Sequence, residues 1–255
     1  LHYDLNIGLL RKKDPADFIV VKDLASFEVL KTYINGVLVA ENGKSFITTK
    51  DCVPINNFEC HKINVDQLLV PFHEQEKIFV IEALDGQLIT NKLLVTPKIA
   101  DGNIVANIEN DILKLVVVNR YMDAKPAICF IKNFGLKSGA IASSVAHDSH
   151  NIIAVGTDDE TITSAINAVI ETKGGISCTN GKELMVLALP IAGLMSSTDG
   201  YKVAESYTAI DKMCKQTGST LSAPFMTLSF MALLVIPNLK LSDKGLFDGD
   251  SFSFV

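Results

Sequence analysis

The chain has 255 residues, 48% of them hydrophobic, which excludes a disordered chain and is enough for a buried core in one large domain or two smaller ones. A net charge of −6 with no Lys/Arg cluster excludes a phosphate-backbone partner, so no nucleic acid is expected. No apolar run is long enough to span a bilayer, so no membrane partner is expected either. In chain order, Ala16 to Val21 and Phe27 to Ile34 read as β-prone runs. Asn35-Gly36 before Val37-Leu38-Val39 is the best hairpin signal, because both residues tolerate the positive φ of a two-residue type I′ turn.

Residues 41 to 75, with Asn42-Gly43, Pro54, Asn56-Asn57 and Pro71, read as a connector with few elements. Strands are then expected over Lys77–Leu84, Lys92–Pro97, Ile112–Asn119 and Ala127–Asn133, and on both sides of residues 143–151, at Ala140–Ala142 and Ile152–Gly156. Thr157-Asp158-Asp159-Glu160 matches a capping box with Thr157 as the cap. Ile162, Ala165, Ile166, Val169 and Ile170 then repeat at helical spacing until Gly174-Gly175, predicting an amphipathic helix from about Asp158 to Lys173. Leu184–Leu189 reads as a buried strand. Gly200–Thr217 reads as a second helix with Val203, Tyr207, Ile210 and Cys214 on one face, and Pro224–Val235 as a short buried helix. Strands mixed with helices in this order give an α+β or mixed α/β class.

The densest polar cluster is Ser143-Ser144-Val145-Ala146-His147-Asp148-Ser149-His150-Asn151, which holds two of the five histidines between two apolar runs. A polar loop held by rigid strands is a place where function concentrates. Three readings of the cluster stand open: a structural turn in which Asp148 and the serines satisfy backbone amides, an autonomous metal site at His147, Asp148 and His150, or a loop that borders a pocket built elsewhere. His2, His61 and His73 show no ligand spacing. Arg120-Tyr121, after a strand, reads as a solvated strand end ahead of a contact to a partner or substrate, and Met185, Met195, Met213, Met226 and Met231 as core filler ahead of a binding surface. The five cysteines, Cys52, Cys60, Cys129, Cys178 and Cys214, are odd in number and form no C-x-x-C pair, which points to a reducing cytoplasm, with Cys129 and Cys178 as inert buried thiols. The amino terminus lacks the pattern of a signal peptide, and its start at Leu1 rather than Met suggests an internal fragment.

Three stretches carry a resemblance. Gly139 to Gly156, Leu189-Pro190-Ile191-Ala192-Gly193-Leu194-Met195-Ser196 and Pro224-Phe225-Met226-Thr227-Leu228-Ser229-Phe230 together resemble the carboxy-terminal domain of bacterial adenine deaminase, of the amidohydrolase superfamily. The resemblance implies that residues 1–70 are the last strands of an amidohydrolase β-sandwich plus a connector, left with an exposed apolar face or open edge, and that 71–255 form the α/β terminal domain. It implies an enzyme that hydrolyses adenine to hypoxanthine and ammonia in purine catabolism, using manganese or iron held by a barrel absent from this chain. No catalytic residue and no bound metal are then expected here. His147, Asp148, Ser149 and His150 are expected to line or gate the purine pocket of the complete enzyme. The partners implied are adenine, the missing barrel and further copies in a homo-oligomer. A purely structural or oligomerisation module is the remaining alternative.

Overall fold

In a computed structural model, which describes residues 7–48, 53–74 and 77–255, the early strand signals become a four-stranded antiparallel meander of β1 (Phe18–Val21), β2 (Val29–Ile34), β3 (Val37–Glu41) and β4 (Lys44–Ser45). Asn35 and Gly36 take φ of 53° and 76°, the two positive values a type I′ turn needs, and pair Ile34 with Val37 across it. This meander belongs to a compact unit, Leu1–Asp51, in which Ile19, Val20, Val29, Ile34 and Val37 stay exposed. His2 and Cys52 lie outside the described residues.

The second compact unit, Cys52–Val255, is built on an eight-stranded sheet. Its elements are β5 (Ile78–Ala83), β6 (Thr90–Val95), β7 (Lys98–Ala100), β8 (Asn103–Val105), β9 (Ile112–Val118), β10 (Ala127–Lys132), β11 (Ala140–Ser143), β12 (Ile152–Gly156), α1 (Asp159–Glu171), β13 (Gly175–Thr179), β14 (Leu184–Ala188), α2 (Gly200–Gln216), α3 (Pro224–Phe230), β15 (Leu239–Ser242), β16 (Gly245–Asp248) and β17 (Ser253–Phe254). The large sheet runs β14-β13-β11-β12-β9-β10-β5-β6; only β10 and β5 pair in parallel, which makes it mixed.

Alternation along β9 explains the layering. Leu113, Leu115 and Val117 join the core shared with α2, α3 and β15, whereas Val116 and Val118 join the core under α1. Strands buried on both faces read as continuous apolar runs, as Leu115-Val116-Val117-Val118 does. The result is the α+β class read from the sequence: a mixed sheet packed with helices. The connector is part of this packing, because Phe58, Cys60, Ile63 and Leu68 are buried with the apolar face of α1.

Four details correct the sequence reading. The cap of α1 is Asp158, whose side chain accepts from the Thr161 amide at 2.7 Å, while the Thr157 hydroxyl is drawn to the Gly139 carbonyl at 3.2 Å. β14 is an edge strand, so Leu184 is exposed and the rest of the strand half-buried. In α2 the apolar stripe is covered only near its end, at Ile210, Met213 and Cys214, and Tyr207 remains exposed. Met195 and Met226 are exposed rather than core filler. Cys129 and Cys178 are buried, and burial pushes the Cys129 thiol up.

Candidate functional site

The loop 144–151 joins two antiparallel neighbours, β11 and β12, and is braced from three sides. Ser144 anchors its start: the hydroxyl donates to the Gly193 carbonyl at 2.6 Å and accepts from the Gly175 amide at 2.8 Å. The end of α3 braces the middle, where the His147 amide donates to the Ser229 carbonyl at 3.0 Å and the His147 ring stacks on Phe230 at 5.0 Å. His150 closes the turn by donating its amide to the Ala146 carbonyl at 2.6 Å, with a left-handed φ of 52°. A branched or bulky residue would hold that φ only at a cost of about 1 kcal/mol or more.

The two imidazoles meet edge to face at 5.6 Å. His150 is half-buried and its Nδ1 is buried without a hydrogen-bond partner. Burial first, then the neighbouring His147 and Arg120, hold its pKa below the usual imidazole value, and Asp148 opposes them. The ring is therefore neutral near pH 7, a hydrogen-bond acceptor or proton acceptor rather than a cation. Asp148 and Ser149 are exposed and form one lip of an open cleft of about 490 Å³, whose other lining includes Val235, Phe247, Phe252 and Phe254 together with Ser242, Asp243 and Lys244.

Arg120 sits behind the loop. It is 5% exposed, which overturns the reading of a solvated strand end. Its Nη1 donates to the Ala192 carbonyl at 2.7 Å and its Nη2 to the Tyr121 hydroxyl at 3.0 Å. That hydroxyl in turn donates to the Ser149 carbonyl at 2.6 Å. A Cβ at Gly193, whose φ is +70°, would fall onto the guanidinium, so the close approach needs glycine there. Arg120 was not legible as a hub because Ala192 lies 72 residues away in the chain; the signal available was an arginine two residues beyond an apolar strand.

His147, Asp148, Ser149 and His150 are thus brought together, whereas His61 lies elsewhere, on Asp123 at 2.7 Å. Among the described residues no group of three or more His, Cys, Asp or Glu side chains is placed to hold a metal ion. A second cavity of about 390 Å³, with a mixed polar and apolar lining, lies at the start of α1, where buried Lys114 pairs with Asp159 at 2.5 Å. Burial raises the Asp159 pKa and Lys114 opposes that rise.

The domain is a layered α+β unit that presents a braced histidine loop beside an open cleft. Residues 87–253 match the family described as the adenine deaminase C-terminal domain, and the chain belongs to that family. It is 52% identical over 263 residues to an adenine deaminase of Methanosarcina acetivorans, 52% over 256 residues to one of Sulfurovum and 47% over 258 residues to one of Borreliella burgdorferi. Each match covers 100% of this chain and 48%, 46% and 47% of the relative, so the chain spans about half the length of the curated relatives it matches and corresponds to their C-terminal portion.

Proposed function

We propose that the chain works as the C-terminal part of an adenine deaminase, where the loop of His147, Asp148, Ser149 and His150 closes over the purine pocket. The observation that carries this is convergence: segments 139–156, 189–196 and 224–230, separate in the chain, meet at Ser144, Gly193, Ser229 and Phe230 and hold this loop rigid beside a cleft. Positioning of that kind is what a pocket-closing loop needs, since small misplacements near a reacting centre cost orders of magnitude in rate.

The reaction is hydrolysis of adenine to hypoxanthine: water adds at the amino-bearing purine carbon and ammonia leaves. The hydroxide-generating metal, manganese or iron, belongs in this reading to the part of the enzyme outside these residues. What this chain supplies is a neutral His150, an exposed carboxylate at Asp148 and apolar side chains, Val235, Phe247, Phe252 and Phe254, that limit water across the cleft. Assembly into a homo-oligomer in the cytoplasm belongs to the same reading.

The test is His147→Ala, Asp148→Ala and His150→Ala in a full-length adenine deaminase carrying these residues, with metal content measured beside turnover. Turnover falling by about tenfold or more at full metal content is expected. Unchanged kinetics in all three would reduce the loop to a structural turn. Metal lost in step with activity would instead favour a metal site in the loop.

A further inference from the structure

Arg120 is a buried cation with an odd set of partners. None of the ion pairs among the described residues includes it. Its side-chain hydrogen bonds go to one carbonyl and one phenol, and its Nε is buried without a partner. The rings of Tyr121 and Phe58, at 4.7 and 5.8 Å, offset part of the desolvation through cation–π attraction. Keeping a guanidinium in such a place is expensive, and replacing it by an apolar side chain would be the simpler way to fill a core. The charge therefore has a use that packing alone does not explain.

We propose that Arg120 is a positioning residue for the histidine loop: it ties the 189–196 segment, through Tyr121 the carbonyl of Ser149, and through its own backbone Asn151 and the connector into one unit, and so sets the place and the electrostatic surroundings of the His150 ring. The backbone contacts complete the tie. The Arg120 amide donates to Asn151 Oδ1 at 3.2 Å, and its carbonyl accepts from the amides of Glu59 and Cys60 at 2.8 and 3.2 Å. Arg120 thus holds His150 from both sides, by way of Tyr121 on the Ser149 carbonyl before it and Asn151 after it.

The electrostatic half follows from the neighbours of His150. His147 and Asp148 come from its own loop, and Arg120 from the segment after β9; segments 189–196 and 224–230 carry no charged side chain. Asp148 favours the imidazolium, so without Arg120 the loop's own carboxylate would have less to oppose it. A fixed guanidinium at this place keeps the ring able to accept a proton or a hydrogen bond at neutral pH. This inference rests on the reading that the loop borders the purine pocket, but its first readout does not depend on turnover.

The experiment uses the full-length enzyme with isotope-labelled histidines, and follows the His150 ring by NMR across pH, its signal assigned by loss in His150→Ala. Arg120→Gln removes the charge and the Nη donors; Arg120→Lys keeps the charge and loses the fork. The His150 titration midpoint is expected to rise in Arg120→Gln and to stay low in Arg120→Lys. Gly193→Ala, which displaces the guanidinium, is an independent probe if Arg120→Gln does not fold, and is expected to raise the midpoint likewise. A midpoint unchanged in a folded Arg120→Gln or Gly193→Ala protein overturns the proposal. In kinetics, Arg120→Gln and His150→Ala are each expected to lower kcat/KM about tenfold, and the double variant little further, because both act through one ring. A raised midpoint with turnover unchanged in every variant leaves the positioning intact and sinks the pocket reading instead.

Discussion

Lys240, in β15, has no surface exposure, and its ammonium donates to the Leu88 carbonyl at 2.6 Å with no carboxylate paired to it among the described residues. Burial lowers its pKa from 10.5 to about 8. Because the folded value is depressed for a base, the unfolded chain binds the extra proton between about pH 8 and 10.5, and this group's contribution to stability rises with pH through that window. Below pH 8 both states are charged and burial of the ammonium costs on the order of 3 kcal/mol. Lys240→Met is therefore expected to stabilise the protein by about 2 kcal/mol at pH 7, the lost bond to Leu88 taking back part of the gain. Urea unfolding at pH 7 and again near pH 10 checks this. The gain should shrink at the higher pH, and an equal gain at both would assign it to packing rather than charge.

At the scale of elements, the start of α1 discriminates between two caps. Asp158→Ala removes the acceptor for the Thr161 amide and is expected to cost about 1 kcal/mol in chemical denaturation. Glu160→Ala is expected to change stability by less than about 0.5 kcal/mol, because Glu160 is exposed and has no reciprocal cap to make. A larger cost at Glu160 would restore the Thr157 box. The one-residue slip has a physical reason: Thr157 and Asp158 are both good caps, and Thr157 is instead held by the Gly139 carbonyl, through amide and hydroxyl, and by the Asp158 carboxylate. Asn35-Gly36 was legible for the opposite reason, since its turn chemistry is local. β7, β8 and β15 to β17 escaped the sequence reading because strands of two to four residues carry too little periodicity, and Lys240 interrupts the apolar run of β15. The connector escaped because Phe58, Cys60, Ile63 and Leu68 have no regular spacing. In the candidate site, the histidine loop was visible as a cluster of nine residues, while its supports were not, because Arg120, Gly193 and Ser229 belong to segments that only the fold brings together.

At the scale of the whole molecule, the two units differ in how they treat apolar surface. In the unit Cys52–Val255 the sheet is covered on both faces, by α1 and the connector on one and by α2, α3 and β15 on the other, and Val116, Val117, Ile152 and Ile153 are almost fully buried. In the unit Leu1–Asp51 a four-stranded meander leaves Ile19, Val20, Val29, Ile34 and Val37 exposed, and β1 is an edge strand. An apolar edge strand is a template for pairing, and clustered exposed valines and isoleucines are a sticky surface. The 255-residue chain is therefore expected to self-associate through this sheet. Ile19→Lys with Val37→Lys puts a charge on the edge strand and another beside the hairpin, both at exposed positions, and should leave the unfolding free energy within about 0.5 kcal/mol of the parent. Sedimentation velocity over a concentration series should then show the parent shifting to larger species as concentration rises and the double variant holding the monomer. If both associate alike, the contact lies elsewhere, and the exposed side chains of α2, Tyr201 and Tyr207, are the next surface to charge. If neither associates, the exposed sheet is tolerated because four short strands present too little continuous apolar area to pair.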